Sequence, residues 1–377
     1  MTERGDERPG YPDGRPAATL RMEARDNGVA LRHGDGPDRC DAYGARDVWV
    51  YEDGGTYYMH YDAAGERGWL CALATSPDGL AWATHGPVLD LGQPGEDDAG
   101  SASYGVTYRD GDAWHMFYLG TPNVSPLPDR VPSPPYNTMK ARAASPRGPW
   151  RKQPAVAPLR PQAGTYYSAT ASPGHVIRHG GEYLMFFSPA AYVFGDEGLY
   201  HGRDNLLQYS GVARAPSGRE LRPTGFKRTL GIARTPDLDG PWTPDPEPIV
   251  PRDEQIENSS LYYEQGIDTW FLFTNHVGVA PAGRGDGEQE QLAEYTDAVW
   301  VYWSRDPTHW DPAAKAVVLD ARNCTWSPRV VGLPSVLRIG DRLALYYDGF
   351  AGDSMWHMGR DIGLAWLDLP LTIPLAP

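Results

Sequence analysis

The chain is predicted to be all-β: a five-bladed β-propeller forming a single domain, its ring closed by strands from both termini. Three observations predict this. The first is a hairpin phrase, YEDGGTYYMHYDA at Tyr51–Ala63, that returns as YRDGDAWHMFYLG, IRHGGEYLMFFSP, YEQGIDTWFLFTN and LRIGDRLALYYDG. Gly54, Gly111, Gly180, Gly266 and Gly340 hold one register in the five copies, and glycine suits a tight hairpin because it reaches positive φ at little cost. The second is a corner that follows each of the first four hairpins: SPDGLAW, SPRGPW, TPDLDGPW and SRDPTHW, ending at Trp82, Trp150, Trp242 and Trp310. Each marks the bend between third and fourth strands, with its tryptophan packed between neighbouring units. The third is the spacing, 57 to 86 residues between successive hairpin glycines, which fits four strands per unit arranged radially.

In chain order, residues 1–16 are polar and rich in Pro and Gly and read as a disordered or surface-draped segment. The domain spans 17–377. Thr19–Arg32 alternates around Asp26-Asn27-Gly28 and reads as a strand pair, part of which completes the last blade against Ile362–Leu367. The blades span about 45–89, 101–159, 166–250, 257–320 and 331–370. Insertions at Thr121–Tyr136, Ala190–Lys227 and Val279–Glu290 all follow a second strand, so they gather at one face, where the site is expected.

The 377 residues carry 34 basic and 49 acidic side chains, a net charge of −15. Nucleic acid and anionic membrane both demand clustered positive charge, so neither is expected as a partner. Cys40, Cys71 and Cys324 stand far apart, which argues against a disulfide framework or a structural zinc site. The N-terminus has no apolar core of a secretory signal and no run of about 18 apolar residues exists, so a cytoplasmic location is expected.

Counting back from each hairpin glycine gives the residues that the inner strands present to the central channel. They are Arg46 and Asp47, Ser103 and Tyr104, Thr170, Ser172 and Pro173, Glu257 and Asn258, and Gly332 and Leu333. Asp47 and Glu257 are the two carboxylates among them. Two carboxylates across a pocket are what cleavage of a glycosidic bond requires, one to protonate the leaving oxygen and one to activate water or attack the sugar. Asp47 also fits an ion pair with Arg46, and Glu257 an acceptor of backbone hydrogen bonds.

The strand ARDVWVYEDGGTYYMHY, with Asp47 seven residues before Gly54, and the strand IENSSLYYEQG, carrying Glu257, resemble glycoside hydrolase family 43 and its relatives, families 32, 68, 117 and 130. The resemblance implies Asp47 as general base or nucleophile and Glu257 as general acid. The chain departs from the family pattern in having Val48 where Pro is usual. The blade-two strand SASYGV carries no acid where the family has a further Asp, the blade-three strand SATASPGHV none where the family has its acidic Glu, and Glu257 stands instead in blade four. His276 and His357 are read as rim residues able to act as acid or hydroxyl ligand, His357 the more so because family 117 uses a His acid. Asp348 is a candidate hydroxyl acceptor, Arg360 a candidate substrate contact that also fits a structural pair with Asp361, and Trp49, Tyr104, Tyr167 and Trp356 platforms for a sugar face. Arg46 and Asn258 complete the expected substrate contacts. Some relatives hold channel calcium, but no DxDxDG loop or His pair at ligand spacing occurs here, so no cofactor is expected. The expected function is acid/base hydrolysis of a terminal sugar, inverting by default, on a small glycoside or oligosaccharide. The alternatives are a lyase, transferase or cyclase reusing the funnel, or a sugar-binding propeller without catalysis.

Overall fold

The computed structural model describes residues 17–193, 213–214, 220–221, 225–282 and 291–375. Residues 1–16, most of the Ala190–Lys227 insertion and residues 283–290 therefore lie outside the described chain. The described elements are strands and three short 3₁₀ turns. The strands follow one another in antiparallel sets. Set one is Gly44–Asp53, Thr56–Gly65, Gly68–Ser76 and Ala83–Pro87. Set two is Ser101–Asp110, Ala113–Thr121, Asn137–Ala143 and Arg151–Lys152. In set three the inner strand is interrupted, Thr170–Ser172 then Val176–His179, and pairs with Glu182–Val193, then Gly231–Thr235 and Thr243–Pro244. Set four is Ile256–Glu264, Thr269–Ala282, Gln291–Ser304 and Lys315–Asp320. Set five is Val331–Ile339, Arg342–Gly349 and Asp361–Asp368, with Arg25–Leu31 as its outer strand.

The N-terminal segment departs from the expected strand pair. Leu20–Arg21 lies parallel to Lys315–Asp320 at the edge of set four, whereas Arg25–Leu31 joins set five. The Asn27-Gly28 turn is instead an irregularity inside that strand, with Gly28 at φ 82. The hairpin glycines sit at φ 57 to 63 in sets one, two, three and five. Gly266 does not: set four turns through a 3₁₀ segment, Gln265–Ile267, and Asp268 takes the left-handed position at φ 50. One extra turn residue moves that conformation from the glycine to an Asp, a residue that tolerates it.

Hydrophobic burial lies between consecutive sets. Leu70 and Cys71 pack with Met116 and Tyr118, Phe117 with Met185 and Phe187, and Phe186 and Ile232 with Leu272 and Trp300. Phe271 and Val299 pack with Leu343 and Tyr347, and Met59 and Tyr61 of set one pack with Tyr346 and Leu364 of set five. The corner tryptophans follow the same rule. Trp82 meets Tyr346 edge-on at 5.7 Å, Trp150 meets His60 at 5.9 Å, Trp242 meets Phe117 at 5.4 Å and Trp310 meets Phe186 at 6.4 Å. Each ring thus sits on the second strand of the preceding set, an edge-to-face geometry that aromatic quadrupoles favour. Serines tie the inner strands together: Val50 N–H donates to Ser335 Oγ, Val336 N–H to Ser260 Oγ and His175 N–H to Ser259 Oγ, at 2.9 to 3.0 Å.

Candidate active site

Near the start of the inner strands the ladder is broken in the same way four times. Register shifts fall between Arg46 and Trp49, Ser103 and Val106, Glu257 and Ser260, and Gly332 and Ser335. At each shift a residue other than glycine stands in the left-handed region: Asp47 at φ 50, Tyr104 at φ 46, Asn258 at φ 60 and Leu333 at φ 56. A bulge of this kind re-aims a side chain, and non-glycine residues held at positive φ cost about 1–3 kcal/mol each. All four re-aimed residues line one cavity of about 120 Å³. Set three, whose strand is interrupted at Pro173-Gly174, contributes Thr170, Ser172 and Ser188 to the same wall.

Set one supplies the densest chemistry. Arg46, Asp47 and Asp62 all line the cavity, and Asp62 pairs in register with Arg46. The Arg46 guanidinium is 3.3 Å from Asp47 and 3.6 Å from Asp348, and donates from Nη1 to His357 Nδ1 at 2.7 Å. Asp62 accepts the Tyr104 backbone N–H and hydrogen-bonds Asp47. Burial, followed by the charge of Asp47 and the bond to it, holds Asp62 well above the usual carboxyl range. Across the cavity, Glu257 takes a 2.7 Å hydrogen bond from Arg228 Nη1 and a 3.4 Å one from Asn275 Nδ2. Burial, then Asp47, Asp62 and Glu257, push the Tyr104 phenol up, so it stays an O–H donor. Tyr136, from the Pro-rich insertion of set two, adds a ring to the wall with its hydroxyl fixed on Pro132 O at 2.7 Å.

Asp47, Glu257, Arg46, Tyr104, Asn258 and His357 therefore share one cavity. Burial, then Arg46, Arg360 and Arg228, lower His357 well below its ordinary value. It is a neutral imidazole accepting from Arg46, not an imidazolium acid.

Six expected contacts lie elsewhere. Trp49 comes after the bulge, so its ring turns between sets, bonding Thr107 Oγ1 at 3.1 Å and meeting His175 edge-on. Tyr167 bonds Gln162 Oε1 at 2.9 Å and packs with Tyr166 and Phe187. His276 is fully buried, 2.7 Å from Asp297 and stacked on Trp300, so it is not a rim residue. Asp348 and Arg360 form a buried pair at 3.0 Å behind Arg46, and Asp361 instead takes the His33 ring and N–H, so Arg360 and Asp361 are not partners. Trp356 packs with Tyr43 and Trp69 in an apolar cluster.

Asp62, Arg228 and Tyr136 were not singled out by sequence. The signal for Asp62 was present, since an Asp inside the apolar strand TYYMHYDAAG occupies the same place as Asp348 in its own hairpin. A larger hollow of about 780 Å³ lies by Asp110, Arg142 and Arg151, but its wall is mostly apolar and it is broadly open. Among the described residues no group of three or more His, Cys, Asp or Glu is placed to hold a metal ion. No described helix is long and apolar enough to cross a membrane.

No family model matches the chain, and no curated protein sequence does. Solved structures do. The catalytic domain of a family 62 α-L-arabinofuranosidase from Coprinopsis cinerea superposes with a TM-score of 0.58 at 12% identity, covering 92% of this chain and 98% of its own. A glycosyl hydrolase from Bacteroides ovatus gives 0.58 at 14% identity, covering 96% and 97%. An α-L-arabinofuranosidase from Podospora anserina, solved with cellotriose, gives 0.55 at 12%, covering 92% and 98%. At these identities the likeness is one of fold, that of the β-propeller glycoside hydrolases of the family 43 and 62 type.

Proposed function

We propose that the protein is a glycoside hydrolase that removes one terminal sugar from a small glycoside or oligosaccharide, with Asp47 as general base and Glu257 as general acid. In this reading the strand sets are the five blades of one ring, closed by the pairing of Arg25–Leu31 with Asp361–Asp368 around the cavity. The observation that carries the reading is the convergence of Asp47 and Glu257 on one small cavity from different inner strands, each beside its own guanidinium. The cavity is small, about 120 Å³, which suits a single sugar unit rather than a chain lying through the site. The base abstracts a proton from water as its oxygen attacks the anomeric carbon, and the acid gives its proton to the departing oxygen. Inversion follows if the water stands between Asp47 and the sugar.

The test is a panel of aryl and alkyl glycosides assayed with Asp47→Asn and Glu257→Gln, with NMR of the first-formed anomer. Loss of hydrolysis in both variants with sugar binding retained supports the assignment. No turnover of any glycoside by the wild type rejects it, and a first-formed product of retained configuration replaces inversion with a covalent route.

The Arg228–Glu257 bond favours a second reading. Glu257 already accepts from a guanidinium at 2.7 Å, an arrangement that also suits an acceptor for sugar hydroxyls. Such a site would serve a non-hydrolytic enzyme or a binding protein. Glu257→Gln distinguishes the two: a general acid is dispensable only when the leaving group is already acidic, whereas a hydroxyl ligand matters equally for every leaving group.

A further inference from the structure

Asp62 and Asp348 occupy equivalent places, each opposite the residue that precedes the inner-strand bulge: Asp62 faces Arg46, and Asp348 faces Gly332. Their surroundings differ. Asp348 is met by Arg360 at 3.0 Å and Arg46 at 3.6 Å. Asp62, 2% exposed, is met by the Tyr104 N–H and by a second carboxyl group, Asp47. Two ionised carboxylates cannot share a hydrogen bond, and among the described residues the cation in contact with the pair, Arg46, approaches through Asp47, while Asp62 has no ion pair. A proton takes at Asp62 the place that the guanidinium takes at Asp348.

We propose that Asp62 is a positioning residue that holds one proton against Asp47, so that the two carboxyl groups work as a single unit with one negative charge. The proposal rests on reading Asp47 as the base. The unit is fixed from both sides: Asp62 by the Tyr104 N–H, and Asp47 by its left-handed backbone and Arg46. The other groups that influence it are Cys71 and Tyr104 on the neighbouring strands, Glu257 with Arg228 opposite, and His357, Asp348 and Arg360 behind Arg46. In turnover Asp47 accepts the proton of the attacking water while Asp62 keeps its own. The unit then holds two protons and returns one to solvent after the product leaves, restoring its single charge. The pair titrates as one unit, so the acid limb of the rate reports the loss of the Asp62 donor.

Infrared difference spectra of the folded, ligand-free protein at pH 7 test this without any substrate. The expected result is a protonated-carboxyl C=O band in the wild type that Asp62→Asn abolishes and Glu257→Gln leaves in place. A wild type without that band, or a band unchanged in Asp62→Asn, overturns the proposal. Kinetics give a second readout. In Asp62→Leu, which cannot donate, the acid limb of kcat/KM is expected to move up by about one pH unit, a tenfold change in proton affinity. Asp62→Asn, which can still accept from Tyr104 and donate to Asp47, should move it less. Equal shifts in the two variants would mean that Asp62 acts only by filling space. If no glycoside is hydrolysed, the glycosidase reading fails while the infrared band still locates the proton.

Discussion

Arg46, Asp47 and Asp62 of set one occupy the same three backbone positions as Ser103, Tyr104 and Leu119 of set two, before the bulge, at the bulge and on the second strand. Around the cavity this contrast divides the wall. Sets four, five and one bring Glu257, Asp47, Asp62 and Arg46, backed by Asp348 and Arg360, whereas sets two and three bring serines, Thr170, Tyr104 and Leu119, with Arg228 reaching from the edge of set three to Glu257. The left-handed bulge recurs at nearly the same φ on both sides, at Asp47 and at Tyr104. The framework is common and the chemistry is local. Proton transfer is assigned to the charged side and the holding of neutral hydroxyls to the other, a division that can be broken by mutation.

The largest expected effect is on the charged side. Asp47→Asn should lower kcat by about 10²- to 10⁴-fold, the usual contribution of a positioned base, with KM little changed. Loss in KM alone would move Asp47 to the binding side of the comparison. Next comes Glu257→Gln, for which a loss of similar size is expected on alkyl glycosides and only a small one on dinitrophenyl glycosides. On the neutral wall, Ser103→Ala and Ser172→Ala should each raise KM by about two- to tenfold, the worth of one hydrogen bond, with kcat held. A kcat loss there as large as that of Asp47→Asn would abolish the division.

Two histidines sharpen the contrast through pH. His175, against Trp49 and accepting from Leu261 N–H at 2.9 Å, is lowered to about 3 by burial alone. His357 is lowered by burial first and then by Arg46, Arg360 and Arg228. Arg46→Met should therefore raise the His357 titration and leave that of His175 in place, as read by NMR of the ring carbons. Because the folded pKa of His175 lies below its ordinary value, its contribution to stability is full above about pH 6.5 and is lost as pH falls toward about 3. The slope is up to about 1.4 kcal/mol per pH unit, so urea unfolding of His175→Gln between pH 7 and 5 should depend less on pH than that of the wild type.

The architecture was legible because the repeated residues answer to the backbone. A hairpin glycine at positive φ and a corner tryptophan against the preceding set are local requirements, and they recur wherever the turn recurs. Gly266 shows the limit, since a turn one step longer moved the left-handed residue to Asp268 without erasing the glycine from the sequence. The cavity was legible only up to the bulge. Asp47 and Glu257 were found by counting back along the inner strands, but a bulge inserts one residue and reverses the parity of what precedes it. Trp49 was therefore expected in the channel and stands between sets. Asp62 and Arg228 reach the cavity from outside the inner strands, Arg228 from beyond a long insertion. No spacing rule could have placed Arg228, whereas Asp62 is found by aligning its hairpin with that of Asp348.

The pairing of Arg25–Leu31 with Asp361–Asp368 has a consequence for biosynthesis. Arg25–Leu31 is made long before its partner, so the fifth set cannot assemble until Asp361–Asp368 has left the ribosome. That set carries Leu333, His357 and the Asp348–Arg360 support behind Arg46. The cavity is thus completed only when these two strands meet, after the other four sets have been made.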